Sequence, residues 1–137
     1  MKTLVLAAAL ALTAAPAFAQ DGSVTLTFDV GAETGGIMVA LYNSAGTYAG
    51  GAPLRTGRVD VAAGDRSVTF DGLAAGDYAM KSFHDVDNDG AMDTNPFGIP
   101  TEPYAFSNNA VGNMGPASWE RAHFPVDGAV AQSITIR

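Results

Sequence analysis

The sequence contains no cysteine and few basic residues. Without cysteine there is no disulfide framework, no cysteine nucleophile and no thiolate metal site. Seven Lys and Arg residues stand against 14 Asp and Glu residues, which gives a formal net charge of −7. A nucleic-acid-binding surface needs basic side chains that neutralise phosphates, and an anionic membrane surface would also repel this chain. We therefore expect no nucleic-acid partner, and the excess of carboxylates favours a bound cation.

The long apolar run at the N-terminus has the pattern of a secretory signal peptide. Lys2 precedes an apolar stretch at residues 4–12, and Ala17 and Ala19 occupy the two small-residue positions before a cleavage site. The stretch is shorter than the roughly 20 residues of a membrane-spanning helix, and Pro16 would interrupt such a helix. We therefore expect a signal peptide at residues 1–19, no membrane insertion after its cleavage, and a periplasmic or secreted protein.

Residues 20–137 have the length of one compact domain and a strand-like pattern. Val24, Leu26, Phe28 and Val30 alternate with polar residues, which places one face of a strand inward. Further short strands are predicted at residues 37–42, 58–61, 67–70, 78–83, 124–126 and 130–136, with a surface connection at 47–57, an ordered loop at 94–114 and a helical turn at 117–122. Glycine-rich turns and the absence of a long helical period predict an all-β fold, a single antiparallel β-sandwich.

The acidic segment after the predicted strand 78–83 indicates a metal site. It has Asp85, Asp87 and Asp89 at alternate positions, followed by Gly90 and then by Asp93. Ca²⁺ takes about six to eight oxygen ligands, and alternate side chains of a turn converge on one point when a glycine allows a sharp bend. Oxygen ligands on a flexible loop suit Ca²⁺ better than Mg²⁺ or zinc. We predict a Ca²⁺ site formed by Asp85, Asp87, Asp89, the Ala91 carbonyl, Asp93 and Glu102.

This segment is not an EF-hand, and it has an alternative interpretation. Counting from Asp85, the twelfth position is Pro96, where an EF-hand has a bidentate glutamate. Glu102 is the nearest later glutamate, and a tight fold of residues 95–101 would bring it to the ion; otherwise water completes the shell. In the alternative, Asp and Asn side chains cap their own backbone in a metal-free turn. Four carboxylates in one turn repel one another unless a cation offsets their charge, which favours the metal site.

Two other functions are compatible with the sequence. A hydrolase would use His84, Asp85 and Ser107, because catalytic triads are defined by geometry rather than by chain order. The sequence has no Gly-x-Ser-x-Gly turn and no evident oxyanion hole near Ser107, so we expect no enzyme activity and a structural hydrogen bond for His84 at the end of its strand. Tyr104 and Phe106 lie on a predicted ordered loop, where aromatic rings would suit a protein, peptide or glycan ligand.

The chain resembles a bacterial exported family, DUF2141, in the long stretch 84–110. This stretch reads His-Asp-Val-Asp-Asn-Asp-Gly, then Met-Asp-Thr-Asn-Pro-Phe-Gly-Ile-Pro-Thr-Glu, then Tyr104 and Phe-Ser-Asn-Asn-Ala. The resemblance extends to Leu-Tyr-Asn at 41–43 and to Gly-Pro-Ala-Ser-Trp-Glu at 115–120. The turn at 72–78, Gly-Leu-Ala-Ala-Gly-Asp-Tyr, is similar to a turn of transthyretin-like sandwiches.

The resemblance implies an exported, transthyretin-like β-sandwich of uncharacterised role, in which the acidic loop is a long ordered insertion. The chain departs from the family pattern at Asp87 and Asp89, where asparagine is usual, and at Pro103 and Ala105, where glycine is usual. The first pair adds carboxylates and strengthens the case for a cation. We therefore expect a non-catalytic, Ca²⁺-stabilised binding or accessory module.

Overall fold

A computed structural model describes residues 21–137, which form an all-β fold with two short helices. The strands are β1 (Gly22–Val30), β2 (Gly36–Tyr42), β3 (Arg55–Val59), β4 (Ser67–Leu73), β5 (Gly76–Asp85), β6 (Tyr104–Phe106), β7 (Phe124–Val126) and β8 (Ala129–Ile136). The helices are α1 (Ala45–Gly50) and α2 (Trp119–Ala122). The all-β class predicted from the sequence is confirmed, whereas the predicted signal peptide at 1–19 lies outside the described residues. Across residues 21–137, no helix is long and apolar enough to cross a membrane.

The strands form two hydrogen-bonded sheets. One has the order β4-β1-β8, and the other has the order β3-β2-β5-β6, with β7 paired to the first residues of β5. Strand pairs in these sheets are antiparallel apart from β1 and β8, which run parallel with Val24 opposite Val130. The prediction of a wholly antiparallel sandwich is therefore wrong at this pair. Alternation along a strand determines which side chains face inward, but the direction of a neighbouring strand depends on the route of the chain between the two.

The main hydrophobic core draws side chains from both sheets. The alternation predicted for β1 is confirmed, since Val24, Leu26 and Phe28 are at most 2% exposed. Strands β2, β5 and β8 contribute to the same cluster with Ile37, Val39, Leu41, Tyr78, Met80, Ile134 and Ile136. Strands β2 and β5 lie in the middle of their sheet and are paired as far as Asp85, from which the acidic segment continues.

The predicted surface connection at 47–57 contains most of α1 and the start of β3. Ser44 caps the helix, because its side-chain oxygen accepts a hydrogen bond from the Thr47 N–H at 3.2 Å. Tyr48 is buried, packs edge-to-face on Tyr42 with ring centroids 5.5 Å apart, and donates a hydrogen bond to the Ala117 carbonyl at 2.8 Å. The glycines of this segment disfavour a helix, and burial of Tyr48 outweighs that weak local preference.

The ordered loop predicted at 94–114 includes the short strand β6. This strand pairs with β5, and Ala105 lies opposite Ser82. The side chain of Ala105 is buried in the main core. Pairing of β6 with β5 returns the chain to the point where β5 ends, so Glu102 lies close to the acidic loop in space.

Candidate metal centre

The acidic loop starts from the fixed end of β5. Asp85 is the last residue of this strand, pairs with Gly36 of β2 and is 1% exposed. The chain then turns at Asn88 and Gly90, which have left-handed backbone angles with φ of 62° and 84°. Glycine adopts this region freely, and asparagine tolerates it better than most residues. The bend expected at Gly90 is confirmed, with a second one at Asn88.

Carboxylates of the loop accept hydrogen bonds from the loop's own backbone. The two oxygens of Asp85 accept from the N–H groups of Asp89 and Gly90 at 3.1 and 2.9 Å. Oδ1 of Asp87 accepts from the Asp89 N–H at 3.2 Å, and Oδ1 of Asp89 accepts from the Ala91 N–H at 2.9 Å. These are the bonds of a self-capping turn. Since a carboxylate oxygen has two acceptor positions, they leave room for a cation on the same oxygens.

Glu102 joins the two ends of the loop. A tight turn returns the chain, with a bridge between Thr94 and Pro100 and a hydrogen bond from the Thr101 N–H to the Asp93 carbonyl at 2.9 Å. Glu102 is 8% exposed, and its two oxygens accept from the N–H groups of Val86 at 2.8 Å and Asp93 at 3.2 Å. The fold of residues 95–101 that was needed to bring Glu102 to the carboxylates is therefore present. Its role as a ligand stays a prediction.

The carboxylates converge in two overlapping groups of three. Ligand oxygens of Asp85, Asp87 and Asp89 lie within 4.8 Å of one another, and so do those of Asp87, Asp93 and Glu102. Asp87 is the residue that the two groups share. The structure thus brings together all five acidic residues predicted from the sequence. That the Ala91 carbonyl is a backbone ligand stays a prediction.

Repulsion among the carboxylates contributes to a raised pKa at two members of this cluster, Asp93 and Asp87. The pKa of Asp93 is raised above its ordinary value of 3.8, chiefly by the charge of Asp87, with loss of solvation and the carboxylates of Asp89, Glu102 and Asp85 adding to it. For Asp87, the hydrogen bond from the Asp89 N–H lowers the pKa, but loss of solvation and the neighbouring carboxylates outweigh it and the net shift is upward. A cation among these oxygens would favour their charged forms and reverse the shifts.

In the metal-free protein, we expect the native state to lose stability as pH rises, because the pKa of Asp93 is raised. The native state holds this proton more tightly than the unfolded chain, so its stabilising effect is complete below the ordinary pKa of 3.8 and is lost as pH rises through the higher native value. Urea unfolding in EDTA between about pH 4 and pH 7 should show wild type losing stability relative to Asp93→Asn. Asp127→Asn serves as the control. If the free energy of unfolding had the same pH dependence in wild type and in Asp93→Asn, this result would contradict the raised pKa of Asp93.

Within residues 21–137, Ser107 makes its side-chain hydrogen bonds to backbone groups and not to a histidine. Its hydroxyl is fully buried, donates to the Ala122 carbonyl at 2.6 Å and accepts from the Met80 N–H at 2.9 Å. The hydrolase hypothesis depended on a hydrogen bond between Ser107 and His84 or His123. With its hydroxyl committed to two backbone groups, Ser107 instead joins β5 to the end of α2.

His84 has the structural hydrogen bond predicted for it, although its partner lies outside the acidic loop. The fully buried ring bonds through Nε2 to the Thr34 carbonyl at 2.7 Å. Thr34 belongs to the turn between β1 and β2, and its hydroxyl donates to the Val86 carbonyl at 3.2 Å. The β1–β2 turn and the start of the acidic loop are therefore tied together by hydrogen bonds.

Tyr104 and Phe106 differ in exposure. Tyr104 is 50% exposed and Phe106 is 7% exposed, and their rings pack edge-to-face with centroids 5.9 Å apart. Tyr104 therefore exposes much more of its ring to solvent than Phe106 does, and a protein, peptide or glycan ligand at these rings stays a prediction.

Two residues that were not predicted from the sequence support the loop, one from β3 and one from the β1–β2 turn. Arg58 of β3 donates a hydrogen bond to the Asn88 side-chain oxygen at 2.7 Å. Gly35 has a left-handed φ of 67°, and a Cβ atom on it would lie 1.9 Å from the Asp85 carbonyl oxygen. Both residues are far from the loop in sequence, and their local sequence gives no sign of the contact.

Comparison with known proteins places the chain in a family. The model of DUF2141, described as an uncharacterized protein conserved in bacteria, matches residues 19–134. A search of curated proteins finds no match. The family match covers β1 to β7, most of β8 and the whole acidic segment, and it confirms the resemblance seen in the stretch 84–110. The chain belongs to the DUF2141 family of bacterial proteins.

Proposed function

We propose that residues 20–137 form an exported, Ca²⁺-stabilised β-sandwich module that acts by binding rather than by catalysis, in the periplasm or outside the cell. The observation that carries the proposal is the convergence of five carboxylates, with Asp87 shared by two groups whose oxygens lie within 4.8 Å. Such a concentration of negative charge is unfavourable by itself, and a divalent cation would offset it.

The chemistry of the cluster fits calcium. Its ligand atoms are oxygens on a turn with two left-handed residues, Asn88 and Gly90. Calcium accepts about six to eight oxygens in flexible geometry, whereas Mg²⁺ demands a strict octahedron and zinc prefers nitrogen and sulfur. Asp85, Asp87, Asp89, Asp93 and Glu102 would hold the ion, with the Ala91 carbonyl and water completing its shell.

A transthyretin-like topology is part of the proposal. The turn at 72–78 leads from β4 in one sheet to β5 in the other, and Gly72 within it has a left-handed φ of 67°. Tyr78 is buried at the start of β5 and donates a hydrogen bond to the Ala74 carbonyl at 2.7 Å. These contacts support the similarity between this turn and that of transthyretin-like sandwiches.

A binding role is favoured over hydrolysis by the position of Ser107. A nucleophile has to be reachable by substrate and adjacent to a base. Ser107 is fully buried and bonded to backbone groups on both sides. The hydrolase alternative therefore has no geometric support at the residues on which it was based.

Asp87→Asn is expected to weaken Ca²⁺ binding more than any other single substitution in the cluster. This variant removes one charge from both groups of three, whereas Asp89→Asn removes it from one. Loss of a charge in contact with the ion should raise the Kd roughly tenfold or more. A Ca²⁺ titration followed by ¹H–¹⁵N NMR measures this, because the amides of Gly90 and Ala91 donate to the ligand carboxylates and report on them directly.

The matched control is Asp65→Asn, an exposed carboxylate in the turn before β4. This substitution should leave the Kd for Ca²⁺ unchanged. Two results would contradict the proposed site. One is a set of NMR chemical-shift changes spread evenly over the acidic surface, and the other is an Asp87→Asn variant that binds Ca²⁺ as wild type does.

A further inference from the structure

The outer face of the β3-β2-β5-β6 sheet carries a groove of about 1270 Å³. Side chains of β2 alternate, so Ile37, Val39 and Leu41 enter the core while Met38 and Ala40 face outward. Register places Met38 between Arg58 and Phe83, and it places Ala40 between Thr56 and Lys81. These outward side chains, with Tyr104 and Phe106 of β6, form the floor of the groove.

Two loops form the walls of the groove. Met92, Ile99 and Pro100 come from the acidic loop and the turn that follows it, and Met114 and Pro116 come from the segment before α2. Ile99 is 58% exposed and Met114 is fully exposed. Methionine side chains are flexible and polarizable, and they adapt to apolar ligands of varied shape. The groove is larger than a typical small-molecule pocket of about 300–1,000 Å³, which suits an elongated ligand.

The charge of the lining is opposite to that of the whole chain. Although the sequence has 14 acidic and seven basic residues, the residues that line this groove include Arg58 and Lys81 and no carboxylate. The Lys81 ammonium lies over the rings of Tyr42 and Tyr48, 5.2 and 4.4 Å from their centroids, and also bonds to the Tyr48 carbonyl. An apolar groove with cationic side chains and no anionic ones is complementary to a ligand that has an apolar body and one negative group.

We propose that this groove binds an amphipathic carboxylate, with its acyl chain on the sheet and its carboxylate at Arg58. The planar guanidinium has five N–H donors and matches a carboxylate in a two-point contact. One of its nitrogens donates to the Asn88 side chain and another lies 3.8 Å from Asp60, which leaves further donors for a ligand. The methionines and aliphatic side chains favour an alkyl chain over a sugar, whose hydroxyl groups require polar partners.

Dodecanoate is the probe that tests the groove, with dodecyltrimethylammonium as the amphiphile of opposite charge. Both are titrated into ¹⁵N-labelled residues 20–137 below their micelle-forming concentrations. Dodecanoate should give saturable shifts at Met38, Phe83 and Tyr104, and the cationic amphiphile should bind roughly tenfold more weakly because its head group meets Arg58 and Lys81. Equal binding of the two amphiphiles, or shifts outside the groove, would overturn the proposal.

Matched variants separate the groove from the rest of the surface. Arg58→Gln should raise the Kd for dodecanoate roughly fivefold or more, whereas Arg55→Gln, on the opposite face of the same strand, should leave it unchanged. Ile99→Ser removes a wall side chain and should also weaken binding, while Leu54→Ser removes an exposed apolar side chain outside the groove. Dodecanoate affinity that is the same in all four variants would overturn the proposal.

The wall formed by Met92 and Ile99 belongs to the segment held by the acidic cluster, so the two proposals need separate titrations. Dodecanoate is titrated in EDTA, because Ca²⁺ would precipitate it as a calcium salt, and Ca²⁺ is titrated without dodecanoate. Dodecanoate binding in EDTA would uphold the groove even if Ca²⁺ itself did not bind. Ca²⁺ binding without dodecanoate binding would overturn the groove proposal and leave the metal site in place.

Discussion

Millimolar Ca²⁺ is expected to raise the melting temperature of residues 20–137 by roughly 5–15 °C. An ion that binds only the native state adds RT ln(1 + [Ca²⁺]/Kd), about 1.4 kcal/mol at a tenfold excess over Kd and about 2.7 kcal/mol at a hundredfold excess. Extracellular calcium modules often have a Kd of about 10⁻⁴ to 10⁻³ M, so about 10 mM Ca²⁺ gives excesses of that size. In a domain of this length, each kcal/mol shifts the melting temperature by about 3–6 °C.

The thermal shift has specific controls. EDTA should reverse it, Mg²⁺ should produce a smaller one, and Asp87→Asn should reduce it more than Asp89→Asn because Asp87 belongs to both carboxylate groups. Equal melting temperatures in Ca²⁺ and EDTA would show that the loop is a self-capping turn that binds no Ca²⁺. An equal shift with Mg²⁺ would show general charge screening rather than a selective site.

Gly35→Ala is expected to destabilise the protein by about 3 kcal/mol or more, even in EDTA. Its φ of 67° costs an alanine about 1–2 kcal/mol, and the new Cβ would lie 1.9 Å from the Asp85 carbonyl oxygen and 2.9 Å from the Val86 Cα. These atoms are backbone at the junction of β5 and the acidic loop, so they cannot move aside as the end of a side chain could. The clash should also displace Asp85 and weaken Ca²⁺ binding.

Gly64→Ala is the matched control for this effect. Gly64 also has a left-handed backbone, with φ of 95°, but a Cβ there would meet no heavy atom within 4 Å. Its substitution should cost only the conformational strain, about 1–2 kcal/mol. Urea unfolding compares the two variants, and equal losses of stability would contradict the close approach of the β1–β2 turn to Asp85.

The parts of this fold that the sequence predicted depend on local periodicity. Alternation in β1 located its buried face, and the acidic spacing with Gly90 located the loop, because both patterns lie within a few consecutive residues. The parallel pairing of β1 and β8 could not be predicted in this way, since it depends on the path of the chain through a second sheet. Helix α1 was missed because burial of Tyr48 against Tyr42, rather than local preference, stabilises it.

The residues of the candidate site also differ in whether the local sequence predicts them. Asp85, Asp87, Asp89 and Asp93 follow from spacing alone, and Glu102 required the turn at residues 95–101 that the structure contains. Arg58 and Gly35 contact the loop from β3 and from the β1–β2 turn, through bonds and packing that join residues about 30 and 50 positions apart. No short pattern records such contacts, so a single sequence does not reveal them.

Calorimetric titration of Ca²⁺ into EDTA-treated, dialysed residues 20–137 measures whether the carboxylates around Asp87 bind one calcium ion. We expect a saturable heat with one ion per chain and a Kd of about 10⁻⁴ to 10⁻³ M. Asp87→Asn should abolish this binding or weaken it strongly, and Asp65→Asn should preserve it. A titration that shows no saturable heat in wild type at millimolar Ca²⁺, or the same binding in Asp87→Asn, would contradict it.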